Sequence, residues 1–98
     1  MALKIVWSPR SESNFDSIIA YLNKNWTNRE VANFIKQISK RLKFISESPL
    51  LFRALTGKDK VREAIISKHN LLIYRIHSDR IEILAVFDTR QNPKRKRI

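Results

Sequence analysis

Two helix-start signals stand close together near the beginning of this chain, and their spacing limits the folds open to it. Ser8-Pro9 offers a serine N-cap followed by proline at the first helical position, where its missing N–H costs nothing. Phe15, Ile18, Ile19 and Leu22 follow at the i, i+3, i+4, i+7 spacing of an amphipathic helix ending near Asn25. Thr27-Asn28-Arg29-Glu30 then fits a capping box, in which the Thr27 hydroxyl and Glu30 carboxylate exchange hydrogen bonds with first-turn N–H groups. Val31, Phe34, Ile35, Ile38, Leu42 and Ile45 carry a second stripe to about Ser46, and Pro49 closes it. With about two residues between them, the helices fold back as an antiparallel hairpin.

The remainder reads as sheet. Leu3-Lys4-Ile5-Val6-Trp7 is a short strand, and Leu50 to Lys60 is a connector holding the only glycine, Gly57. Strands follow at about Val61–Ser67, Leu71–His77 and Arg80–Asp88, with Lys68-His69-Asn70 and His77-Ser78-Asp79 as tight hairpin connections. Alternation puts Ile81, Ile83, Ala85 and Phe87 on the face that packs on the helices, and Glu82, Leu84, Val86 and Asp88 on the other. In the middle strand Leu72, Tyr74 and Ile76 oppose Leu71, Ile73 and Arg75, which makes Tyr74 a core residue. The order β-α-α-β-β-β predicts a single α+β domain over 1–98, an antiparallel sheet with an N-terminal strand and the helical hairpin on one face. The second apolar face is then either a partner-binding surface or an under-covered core. Trp7 and Trp26, flanking the first helix, read as packing residues.

Charge narrows the partners. Twenty Lys and Arg against nine Asp and Glu give +11 in 98 residues, a field that attracts nucleic acid, acidic protein segments or anionic lipid. An apolar strand stops at Asp88, Arg90 follows, and the tail over 89–98 has five basic residues and no acidic one. That tail is suited to gripping a polyanion, with Arg90, Asn92, Lys94, Arg95, Lys96 and Arg97 as candidates; the bland alternative is a solvated end. No cysteine and only two histidines, without H-x-x-H spacing, predict no metal and no cofactor. No apolar run approaches the roughly 20 residues of a membrane helix, and the N-terminus does not resemble a signal peptide, so a cytoplasmic location away from membranes is expected.

Ser8-Pro9, Arg62 in Val61-Arg62-Glu63, Leu72-Ile73-Tyr74-Arg75, and Val86-Phe87-Asp88-Thr89-Arg90-Gln91-Asn92-Pro93 occur in an order that resembles the RelE/ParE superfamily, toxins of bacterial type II toxin–antitoxin pairs. The resemblance covers essentially the whole chain, and the last run looks most like ParE-type, plasmid-stabilisation-like members. It implies two activities. ParE-like members poison DNA gyrase, trapping it on cleaved DNA; RelE-like members cut messenger RNA in the ribosomal A site. It also implies a cognate antitoxin whose acidic, amphipathic segment wraps the toxin in a hetero-oligomer, with Phe34, Ile38, Leu71, Ile73, Leu84 and Val86 as expected contacts.

Cleavage by the RNA 2′-hydroxyl needs a base, an acid and cations for the charge developing on phosphate. Arg62 and Arg90 match two basic positions of RelE-like enzymes, and His69 is a further titratable candidate. Ala64 and Leu71 stand where a lysine and an arginine are expected by that resemblance, and no tyrosine or histidine follows Arg90. Arginine itself is a poor proton-transfer group, its pKa lying above about 12. Arg62 has a structural reading too, pairing with Glu82 or Asp88 across the sheet. The gyrase reading is therefore the expectation, mRNA cleavage the alternative, and a non-toxic basic nucleic-acid-binding domain the third.

Overall fold

Ser8 does more than cap a helix. The computed structural model describes residues 2–55 and 57–91. In it, β1 (Lys4–Trp7) passes through Ser8 directly into α1 (Pro9–Asn25). The Ser8 Oγ accepts from the Ser11 N–H at 3.1 Å and donates to the Leu84 carbonyl at 3.3 Å, while its N–H donates to the Ile83 carbonyl at 3.0 Å. The start of α1 is thereby fixed on the last strand, β5 (Arg80–Asp88). Thr27 starts α2 (Asn28–Glu47), its Oγ1 accepting from the Glu30 N–H at 3.3 Å, and the two helices form the expected hairpin. No helix among the described residues is long and apolar enough to cross a membrane.

After α2, a 3-10 turn (Pro49–Leu51) leads into β2 (Arg53–Leu55), β3 (Lys58–Ser67) and β4 (Asn70–Ile76). The five-stranded sheet has the order β1-β5-β4-β3-β2. All neighbours are antiparallel except β1 with β5, so the sheet is mixed. The α+β class and the hairpin on one face agree with the expectation. The connector over Leu50–Lys60 does not: it holds β2 and the first residues of β3. Three residues are too few to display a period of two, which is why the sequence shows no strand there. Gly57, at φ +74°, supplies the left-handed backbone that this connection requires.

A β-bulge corrects the predicted faces of β5. Ile73 pairs with Ala85 and Tyr74 with Ile83, leaving Leu84 as the extra residue. The alternation therefore flips past Leu84. Val86 and Asp88 turn toward the helices, while Ala85 and Phe87 turn to the opposite face, the reverse of the simple pattern. The bulge is held by α1, since the Val86 N–H finds the Asn14 side-chain oxygen at 3.1 Å. Beneath the hairpin, Ile18, Leu22, Phe34, Ile38 and Ile45 of the helices meet the inner faces of β4, including Tyr74, and β5 in one core. Each such fully buried side chain contributes roughly 1.5–3 kcal/mol.

Candidate functional site

At the end of β5 the Asp88 carboxylate is fully buried and saturated with donors. Its Oδ1 accepts from the Arg90 backbone N–H at 2.8 Å and from Arg90 Nε at 3.2 Å. Its Oδ2 accepts from Arg90 Nη2 at 2.9 Å and from Asn70 Nδ2 at 2.7 Å. Arg90 Nη1 donates to Glu30 Oε1 at 2.9 Å, and its guanidinium lies 5.2 Å from the centre of the Trp26 ring. Asn70 in turn accepts from Ser67 Oγ at 2.9 Å. One network thus joins the first turn of α2, the exit of β5 and the β3–β4 turn. Glu30 spends its carboxylate on Arg90, so the reciprocal half of the predicted capping box is replaced by a tertiary ion pair.

Burial resists ionisation of Asp88, but hydrogen bonds from Arg90 and Asn70, with the Arg90 charge, outweigh it and hold the carboxyl below its ordinary range. The same hydrogen bonds to Asp88, joined by Glu30, overcome the desolvation of Arg90 and raise its guanidinium pKa further. The Arg90 side chain is only 9% exposed. The predicted polyanion grip is, in its described part, a partnered and largely buried cation.

Arg62 is placed elsewhere. Its Nη1 donates to the Phe52 carbonyl at 2.7 Å and the Leu50 carbonyl at 3.1 Å, rather than to Glu82 or Asp88 by the pairing anticipated across the sheet. Arg62 sits opposite Tyr74 on β4, four residues from the Asn70 that touches Asp88, about 13 Å along the strand. The fold therefore does not bring Arg62 and Arg90 together. His69 is nearer Arg90. It lies in the β3–β4 turn with its Nδ1 3.5 Å from Thr89 Oγ1, and with Lys68, Trp26, Glu30 and Arg90 it lines a polar cleft of about 400 Å³. Tyr74 is a core residue as expected. Its hydroxyl donates to the Pro49 carbonyl at 2.6 Å, and burial, partly offset by the Arg62 charge, pushes its pKa up to about 12.

The face of the sheet away from the helices carries an apolar groove. Leu71, Ile73 and Leu84 line it, together with Ile65, Phe87 and Leu55. Phe34, Ile38 and Val86 do not. They are 1%, 2% and 2% exposed, so they belong to the core and present nothing to a partner. The stripe of α2 that contains Phe34 and Ile38 is the one that packs on the sheet, and the bulge at Leu84 carries Val86 inward. Asn92, Lys94, Arg95, Lys96 and Arg97 lie outside the described residues.

A helical hairpin on a sheet of this order, with a cation at the last strand's exit, can be compared with known proteins. The family model for the ParE toxin of the type II toxin–antitoxin system parDE matches residues 5–93. The chain belongs to the ParE toxin family. No curated protein matches its sequence. Among solved structures it is similar to the chromosomal ParDE system of P. aeruginosa, at 12% identity and a TM-score of 0.72, over 89% of this chain and 96% of that one. An E. coli RelE toxin mutant in the free state gives 15% identity and a TM-score of 0.64, over 98% and 93% of the two chains. The YoeB dimer of Staphylococcus aureus gives 19% and 0.62, over 89% and 97%. At these identities the likeness is one of fold.

In this ParE-family chain the residues that complete the corner were not singled out from sequence. Simple alternation puts Asp88 on the far face, and the capping-box pattern keeps Glu30 in its own helix cap. The signal available was the Asp88-x-Arg90 spacing at a strand exit, where a carboxylate two residues back can receive both the backbone and the side chain of the arginine.

Proposed function

We propose that this ParE-family chain is the toxin of a type II module that inhibits DNA gyrase through a protein contact, and that a cognate antitoxin neutralises it. The observation that carries the target assignment is the engagement of both candidate cleavage cations. Arg90 is held by two carboxylates and Arg62 by two backbone carbonyls, in separate places. A phosphate approaching Arg90 meets Asp88 and Glu30 as well, whose negative charge opposes it. Ala64 and Leu71 offer no proton transfer.

An antitoxin segment with apolar and acidic residues suits the groove at Leu71, Ile73 and Leu84. A disordered segment folding there gains from apolar burial, and opposite charge speeds its encounter with a +11 chain. Toxin and antitoxin then form a hetero-oligomer. The rival reading, mRNA cleavage on the ribosome, has one observation in its favour: His69, Lys68 and Arg90 share a cleft.

The test uses the purified chain with DNA gyrase and closed circular DNA. The gyrase reading predicts DNA breaks with protein attached to their ends when the reaction is stopped with detergent. Unimpaired gyrase, with messenger RNA cut on ribosomes by the same preparation, contradicts it.

A further inference from the structure

The turn that follows α2 combines an apolar surface with an unusually well-held backbone. Leu50 and Leu51 are 69% and 71% exposed. The carbonyls around them are clamped from inside the sheet. The Pro49 carbonyl accepts from the buried Tyr74 hydroxyl at 2.6 Å, the Leu50 carbonyl from Arg62 at 3.1 Å and the Phe52 carbonyl from Arg62 at 2.7 Å. Below the turn the Phe52 ring stands edge-on to Phe44 at 5.8 Å and to Tyr74 at 6.3 Å, with the Arg41 guanidinium 5.8 Å from its centre. Phe44 is itself 47% exposed and extends the apolar surface. Single exposed leucines are ordinary, but two adjacent ones beside a half-exposed phenylalanine form a patch.

We infer that Leu50 and Leu51 form a rigid knob that inserts into an apolar pocket, rimmed by acidic groups, on the protein the toxin acts against. The inference rests on the reading of this chain as a toxin with a protein target. Shape separates the knob from the groove on the open sheet face. A convex, pre-ordered feature loses little entropy on entering a preformed pocket of a folded partner, whereas a segment that folds on binding needs a groove to lie in. Charge indicates the rim. Arg53 follows the turn with its side chain 81% exposed, and Lys40 and Arg41 line the cleft beside Phe44. Among the described residues the acidic groups here are Glu63, 3.6 Å from Arg53, and Glu47 at the end of α2, against Arg53, Lys40 and Arg41, a basic balance that complements acidic residues. Leucine neither stacks on bases nor hydrogen-bonds to them, which argues against nucleic acid as the direct occupant.

The experiment compares the wild-type chain, Leu50→Ser/Leu51→Ser and Leu50→Met/Leu51→Met, using DNA gyrase supercoiling as the probe. The serine variant is expected to keep the wild-type thermal midpoint to within a few degrees, since its changes are on the surface, and to need roughly tenfold more protein, or greater, for half-inhibition. The methionine variant, apolar and similar in volume, is expected to inhibit like wild type. Equal inhibition by the serine variant and wild type overturns the knob while leaving the toxin reading intact. Binding of wild type to phosphatidylglycerol–phosphatidylcholine vesicles that is lost in the serine variant, without a change in gyrase inhibition, also overturns it and assigns the knob to lipid. A wild-type chain that leaves gyrase untouched overturns the gyrase reading, and the knob with it.

Discussion

Arg90 folds back on Asp88, two residues before it, through Nε and Nη2 at 3.2 and 2.9 Å, while its remaining nitrogen reaches Glu30 at 2.9 Å on another element. The exit of β5 is thereby bound to the start of α2. Removing the arginine leaves the buried Asp88 carboxylate without its main counter-charge. Arg90→Ala is expected to destabilise the fold by about 3–5 kcal/mol, the range for breaking one side of a buried pair. Urea unfolding monitored by far-ultraviolet circular dichroism measures this. Loss below about 1 kcal/mol contradicts a structural role for Arg90.

The same pair sets an acid limit. Because the folded-state pKa of Asp88 lies below its ordinary 3.8, its contribution is present above that value and is lost as pH falls through the lower folded pKa. Thermal midpoints measured from pH 6 downward are expected to fall below about pH 4, and to fall less steeply in Asp88→Asn, which starts from lower stability.

At the alkaline end the sign reverses. Tyr74 is raised from 10.0 to about 12, so its contribution is full below pH 10 and is lost as pH rises through about 12. Tyr74→Phe is expected to remove the tyrosinate absorbance step near pH 12. It also leaves the Pro49 carbonyl without this donor, at a cost of about 1 kcal/mol at neutral pH. Because the chain holds a second tyrosine, Tyr21, the Tyr74 signal is the wild-type spectrum minus that of Tyr74→Phe, and a difference centred near pH 10 contradicts the burial argument.

Arg62 predicts a local effect. Arg62→Ala releases the Leu50 and Phe52 carbonyls, and amide hydrogen exchange across 50–54 is expected to accelerate while the helices keep their protection. Unchanged exchange there contradicts the clamp.

The groove is tested by charge. Ile73→Asp, on the open face, is expected to weaken binding of the cognate antitoxin by roughly 2 kcal/mol or more, with little loss of stability. Calorimetric titration with equal affinity for both forms contradicts the assignment.

How far the sequence reaches is clear from particular residues. The hairpin was legible because Ser8-Pro9 and Thr27 signal locally and the stripes from Phe15 and Val31 run for several turns. β4 was legible because both its faces alternate without interruption. The far faces of β5 were not, since a bulge is fixed by contacts distant in sequence, here Ser8 and Asn14 with Leu84 and Val86. Arg90 was visible as a cation at a strand exit. Its partners were not, because Glu30 is 60 residues away and Asp88 reaches it only once the alternation has flipped. β2 carries too few residues to leave a pattern.

The central claim, a toxin aimed at gyrase rather than at messenger RNA, is tested most directly by inducing the chain without its antitoxin. Radiolabelled thymidine and methionine incorporation are then followed over the first minutes. The account predicts that DNA synthesis falls first while translation continues. Translation collapsing first, with DNA synthesis still running, contradicts it.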